Sequence, residues 1–166
     1  MKTATVWIQS LQLQPHPEGG WFKEVYRSEE QIPQHGLPHR FTDKRSIATA
    51  IYFMLEANEI SVFHRIKSDE TWHFYNGEPL ELHVIDPKGN YQKLMLGLYP
   101  EQGIMPQVTI PHGCWFAARS LGAYTLVGCT VAPGFDFHDF EMAERNYLTN
   151  EFPQHTELIL QFTKTP

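Results

Sequence analysis

At 166 residues, 42% of them hydrophobic and 13% aromatic, the chain has the material for one sizeable core and is too apolar to remain disordered. A formal net charge of −6, with 13 Lys and Arg scattered along the sequence, argues against the clustered basic surface that nucleic-acid binding requires. The partner expected instead is a small molecule.

The opening stretch, MKTATVWIQSLQLQPHPEGG, has no basic start, and Gln9, Gln12 and Gln14 break its apolar run, so no secretory signal is expected. No apolar run reaches the roughly 18 to 20 residues of a membrane-spanning helix, and the compartment expected is the cytoplasm. Val6, Trp7, Leu11 and Leu13 recur at helical spacing behind a Thr3 or Thr5 cap, which predicts a short N-terminal helix stopped by Pro15-His16-Pro17-Glu18-Gly19-Gly20. Trp21 to Arg27 reads as a first strand, and Ser28 to Lys44 as a long surface loop.

From Ser46 to about Val131 the chain becomes a series of short β-rich runs: Ile47 to Leu55, Ile60 to Ile66, Thr71 to Tyr75, Leu80 to Ile85, Tyr91 to Leu96, Gln107 to Ile110, Cys114 to Ala118 and Tyr124 to Val131. Turn signals such as Asn76-Gly77 and Asp86-Pro87-Lys88-Gly89 separate them, a pattern that predicts a sandwich or barrel. Cys114 and Cys129 fall inside these runs and read as buried reduced thiols. Beyond Gly134 the pattern turns helical. One helix is predicted over 139–148, capped by Asp136 or Asp139, and a second from about Thr156 with Leu158, Ile159 and Phe162 on one face.

Two strand motifs stand out, His64-Arg65-Ile66-Lys67-Ser68-Asp69-Glu70 running on to Gly77, and Pro111-His112-Gly113-Cys114-Trp115-Phe116. With Pro15 to Gly20, Trp72 to Gly77 and Val127 to Phe135, they resemble the cupins, and in particular the uncharacterised branch called the fifth cupin family. The resemblance implies an all-β fold, the cupin double-stranded β-helix or jelly-roll barrel, with short helices at both ends, in one domain over 1–166. It also implies likeness to sugar-nucleotide epimerases and to seed-storage and auxin-binding cupins, and a homodimer, which exposed sheet edges favour as well. Metal-binding cupins use His-x-His and Glu from the first motif and His from the second. In this sequence those places hold His64, Ile66, Glu70 and Phe116, so two donors are replaced by apolar side chains and no metal or other cofactor is expected.

Strand alternation then selects the pocket. If Glu70 points inward, so do Trp72 and Phe74, while His73 and Tyr75 point away. Alternation leaves open whether Leu80, Leu82 and Val84 or Glu81, His83 and Ile85 face the interior, and the reading adopted places Glu81 and His83 there. The candidate site is thus His64 and Glu70 as catalytic groups, with Trp72, Phe74, His83 and Phe116 as substrate-binding groups. His16, His35, His39 and His155 are expected in solvent, and His112 at a surface turn. In one reading His64 is a general base oriented by Glu70 in metal-free epimerase, isomerase or lyase chemistry on a small polar or sugar-like molecule. The alternatives are a non-catalytic binding module and a metal-dependent oxygenase or isomerase. A direct His64–Glu70 hydrogen bond without function is the structural alternative.

Overall fold

The computed structural model describes residues 3–165. Helix α1 (Ala4–Leu11) ends at Gln12, whose left-handed φ of 55° turns the chain into β1 (Gln14–Pro15). There follow β2 (Trp21–Arg27), β3 (Gln31–Ile32), β4 (Arg45–Ser46), β5 (Thr49–Glu56), β6 (Ile60–Arg65), β7 (Asp69–Gly77), β8 (Leu80–Ile85), β9 (Tyr91–Leu96), β10 (Gln107–Ile110), β11 (Trp115–Ser120), β12 (Tyr124–Ala132) and β13 (Glu141–Met142). Helices α2 (Arg145–Glu151) and α3 (Thr156–Gln161) close the chain.

The strands form a six-stranded sheet in the order β1-β2-β5-β12-β7-β10, a five-stranded sheet in the order β13-β6-β11-β8-β9, and a β3-β4 ribbon. Every pairing between these strands is antiparallel, as the jelly roll requires. Alternation sorts side chains into three apolar clusters. Phe53, Leu55, Trp72, Leu82, Phe116 and Val127 pack between the two sheets. Met54 and Leu126, one residue out of step, face outward beneath Trp7, Ile8 and Leu11 of α1. On the far side Phe63, Ile85, Trp115 and Ala117 meet Leu148, Phe152, Ile159 and Phe162, so the C-terminal helices cover the outer face of the five-stranded sheet. Each large side chain so covered contributes roughly 1.5 to 3 kcal/mol. Among the described residues no helix is long and apolar enough to cross a membrane.

Two elements differ from expectation. The helix predicted over 139–148 starts later, at Arg145, because Glu144 rather than Asp136 or Asp139 caps it, accepting from the Asn146 and Tyr147 N–H groups at 3.1 and 2.7 Å. Asp136 caps only a single 3-10 turn, Phe137–Asp139, and Asp139 is drawn inward by Arg45. The segment 28–44 is likewise partly structured: it contains β3 and a 3-10 turn, Gln34–Gly36, and buries Phe41.

Candidate active site

A cavity of about 270 Å³ opens at one end of the space between the sheets. The six-stranded sheet supplies Phe22 and Glu24 from β2, Ile51 and Phe53 from β5, Cys129 and Val131 from β12, and Glu70 and Trp72 from β7. These residues are two apart along each strand and lie beside one another in register, Glu70 opposite Val131 and Trp72 opposite Cys129. His64 and Ile66 enter from the β6 side. Phe135, Phe137 and Phe140 lie on the flap that follows β12 and complete the lining.

The flap is held down by buried polar contacts. Arg45 grips Asp139 with two hydrogen bonds, Nε to Oδ2 at 2.6 Å and Nη2 to Oδ1 at 2.7 Å, and both side chains are buried. The Gly134 N–H donates to the Ser46 carbonyl at 2.7 Å, and the Phe135 N–H to the Thr49 hydroxyl at 2.9 Å.

The residue that sequence reasoning missed is Glu18. It sits in the turn between β1 and β2, pressed against β6, where its carbonyl accepts from the Val62 N–H at 2.9 Å. Gly19 and Gly20 allow this approach. Both have positive φ, and a Cβ on Gly19 would collide with the Ile60 carbonyl oxygen. An acidic residue followed by two glycines ahead of a strand was the available signal.

Glu18 Oε1 accepts from the Ser61 hydroxyl at 2.9 Å, and Oε2 lies 3.1 Å from His64 Nε2 and 3.5 Å from His16 Nδ1. His64 Nδ1 lies 2.7 Å from the Val62 carbonyl, which can only accept. The hydrogen of a neutral His64 is therefore on Nδ1, and the Nε2 lone pair faces Glu18. Likewise the Glu18 N–H donates to His16 Nδ1 at 3.2 Å, which leaves the His16 hydrogen on Nε2. His64 thus pairs with Glu18, rather than with Glu70 as the sequence suggested. Glu70 has the Cys129 thiol and the Trp72 indole beside it, although the buried indole N–H makes no hydrogen bond.

Burial sets the protonation states. It pushes His64 from 6.5 down to about 3, against the pull of the Val62 carbonyl, and His16 down to about 4. It raises Glu18 well above 4.5, with Glu70 adding repulsion and Ser61 opposing. It raises Glu70 to about 7, with Cys129 and Trp72 opposing. At neutral pH His64 is therefore an uncharged imidazole, burial drives Glu18 towards the protonated form that can donate to the imidazole Nε2, and Glu70 is poised to gain or lose a proton.

The structure brings His64, Glu70 and Trp72 to the cavity, and with them His16, which was expected in solvent. Phe116 packs behind, its ring 4.1 Å from the His64 imidazole and opposite it in the β11–β6 register. Phe74 packs against the inter-sheet core rather than lining the cavity. His83 and Glu81 lie on the other face of the five-stranded sheet, His83 against Phe162 of the C-terminal segment, because Leu80, Leu82 and Val84 take the inner face of β8. His155, also expected in solvent, places Nε2 2.8 Å from the Gly89 carbonyl, whereas His35 and His39 are exposed.

At the positions where a metal-binding relative would supply four ligands, His64 and Glu70 are donors while Ile66 and Phe116 are buried hydrocarbon. Among the described residues no group of three His, Cys, Asp or Glu side chains is placed to hold a metal ion. These residues do not fit a site of that kind.

The family described as "Cupin superfamily (DUF985)" matches residues 5–143. A hypothetical protein from Leishmania major is 37% identical, with a TM-score of 0.89 over 99% of this chain and 100% of its own. A protein from Shewanella oneidensis is 35% identical, with a TM-score of 0.91 over 100% of both chains. An uncharacterized protein of Saccharomyces cerevisiae is 28% identical over 143 residues, 80% of this chain and 71% of that protein. Oxalate decarboxylase from Bacillus subtilis shares the fold, with a TM-score of 0.56 at 13% identity over 92% of this chain and 37% of its own.

Proposed function

The chain belongs to the DUF985 family of the cupin superfamily, and from that premise we propose that its cavity binds a small molecule and moves a proton on it, as an isomerase, epimerase or lyase does. The observation that carries the reading is the convergence of two buried carboxyls and two neutral imidazoles in one aromatic-walled cavity. Groups arranged to exchange protons near neutral pH, in a concave and mostly apolar site, are what general acid–base chemistry requires. The roles differ from those the sequence suggested. Glu70, titrating near 7, is the proton donor and acceptor. His64 and Glu18, 3.1 Å apart, form a pair that can accept a proton at one point and release it at another. The cavity, at about 270 Å³, suits a molecule the size of a monosaccharide.

The test follows solvent deuterium into a panel of small aldoses, ketoses and amino sugars by proton NMR, using protein purified without chelator or nickel. The expected result is exchange at one C–H position, slowed about 100-fold or more at saturating ligand in Glu70→Gln. Binding without exchange on any member would leave a binding module. About one metal ion per chain, lost in His64→Ala, would turn the search to metal-dependent chemistry.

A further inference from the structure

The cavity lining is lopsided in charge. Four acidic side chains, Glu18, Glu24, Glu70 and Asp136, share it with one permanent cation, Arg27. That cation is already engaged: Nε donates to Glu24 Oε1 at 2.9 Å, and Nη2 donates to Glu24 Oε2 at 2.8 Å and to the Phe135 carbonyl at 3.0 Å. Neither deep carboxyl, Glu18 or Glu70, forms an ion pair with a Lys or Arg among the described residues. The remaining wall is aromatic and aliphatic, with Ile51, Ile66 and Val131 alongside the rings. Phe53 and Trp72 meet edge to face at 5.5 Å, as do Phe135 and Phe137 at 4.9 Å on the flap, and Phe140 lies 5.9 Å from Phe137. The Trp72 indole N–H is buried beside Glu70 and makes no close hydrogen bond.

Ring faces carry negative potential and attract cations, and ionised carboxyls do so more strongly. An anionic ligand would face Glu70 and Asp136 with no free positive charge to receive it, because Arg27 is taken by Glu24. A neutral ligand would leave Glu70, when ionised, without a counter-charge. We propose that the ligand is a small organic ammonium, a protonated amine seated between Glu70, Glu18 and the aromatic wall, on a body that also carries a hydroxyl or other acceptor for the Trp72 indole. This inference rests on the cavity being a ligand site and adds the sign of the ligand's charge.

Calorimetric titration of the full chain with two series of one body and three charges tests it: benzylamine, benzyl alcohol and benzoate, then glucosamine, glucose and glucuronate. The expected result is that in at least one series the amine binds tenfold or more tightly than its neutral relative while the anion shows no binding. Glu70→Gln should abolish that preference, so that the amine and its neutral relative bind with the same affinity. Amines that bind no better than their neutral relatives in both series overturn the inference, as does failure of both amines to bind. The wild-type series decides the matter even where Glu70→Gln fails to fold. Deuterium exchange into a sugar without any amine preference sinks this inference and leaves the proton-transfer reading standing. Amine preference without exchange does the reverse.

Discussion

Two buried His–Glu pairs lie on opposite faces of one sheet, with β11 between them: Phe116 is opposite His64 and Ala117 opposite His83. In each pair an imidazole nitrogen approaches a carboxylate oxygen, at 3.1 Å for His64 and Glu18 and 2.6 Å for His83 and Glu81. Their surroundings differ. Glu81 has Arg119 at 3.1 Å, His83 has the Tyr91 hydroxyl at 2.9 Å, and rings of Tyr91 and Phe162 cover the imidazole. That pair is compensated and packed shut. Glu18 has no Lys or Arg partner among the described residues and a second acid, Glu70, nearby, and its pair opens on a cavity. A buried acid held without a counter-charge costs stability, which makes it a mark of function, whereas one matched to an arginine reads as architecture.

The flap offers the strongest way to break this contrast. Arg45 and Asp139 are a compensated pair in the wall of the uncompensated site, and Arg45→Met leaves Asp139 buried with only Lys67 Nζ at 3.6 Å. The expected loss is about 3 kcal/mol in urea unfolding, the low end for a broken buried pair because Lys67 remains. Arg45→Met with Asp139→Leu should recover most of it, while ligand affinity falls in the single variant because Phe135, Phe137 and Phe140 lose their anchor.

Glu70→Gln should act in the opposite direction. Below pH 4.5 Glu70 is protonated in both folded and unfolded chains and costs nothing. Between 4.5 and about 7 the unfolded chain ionises first, so the folded state loses stability as pH rises. Gln cannot ionise. The variant should match the wild type at pH 4 and exceed it by roughly 3 kcal/mol above pH 7, read from unfolding curves at the two pH values. Equal stability at both would show that Glu70 is not held neutral by burial.

Much of the architecture was legible because strand alternation and turn residues are local signals. The β-rich runs found from Ile47 to Val131 correspond to β5 through β12, and Trp21 to Arg27 to β2. Part of the site was legible too, since His64, Glu70 and Trp72 lie in recognisable motifs. What escaped depends on contacts between distant segments. Glu18 and His16 reach the cavity only because two glycines let their turn press against β6, whereas loop composition alone suggested solvent for His16. His83 was ambiguous for the same reason. Its parity along β8 was clear, but which face was interior was decided by Phe162, Ile159 and Leu148 covering the other side. The first C-terminal helix was predicted to start too early, at Asp139 instead of Arg145, because Asp139 looks like a cap until Arg45, 94 residues away, takes it.

The smallest effect sharpens the contrast most directly. Glu81→Gln is the same chemical change as Glu70→Gln, made in the compensated pair. Burial lowers the pKa of His83, and Glu81 is what chiefly opposes that. Removing the negative charge therefore lowers it further, and leaves Arg119 without its buried partner. Because the Arg119 side chain is 45% exposed, water replaces most of that interaction, and the loss is limited to about 1 kcal/mol. Urea unfolding at pH 7 should show Glu81→Gln slightly less stable than the wild type, with the cavity's ligand affinity unchanged. A gain in stability there, like that expected for Glu70→Gln, would mean that Arg119 does not compensate Glu81, and the two faces of the sheet would no longer be distinguished by charge.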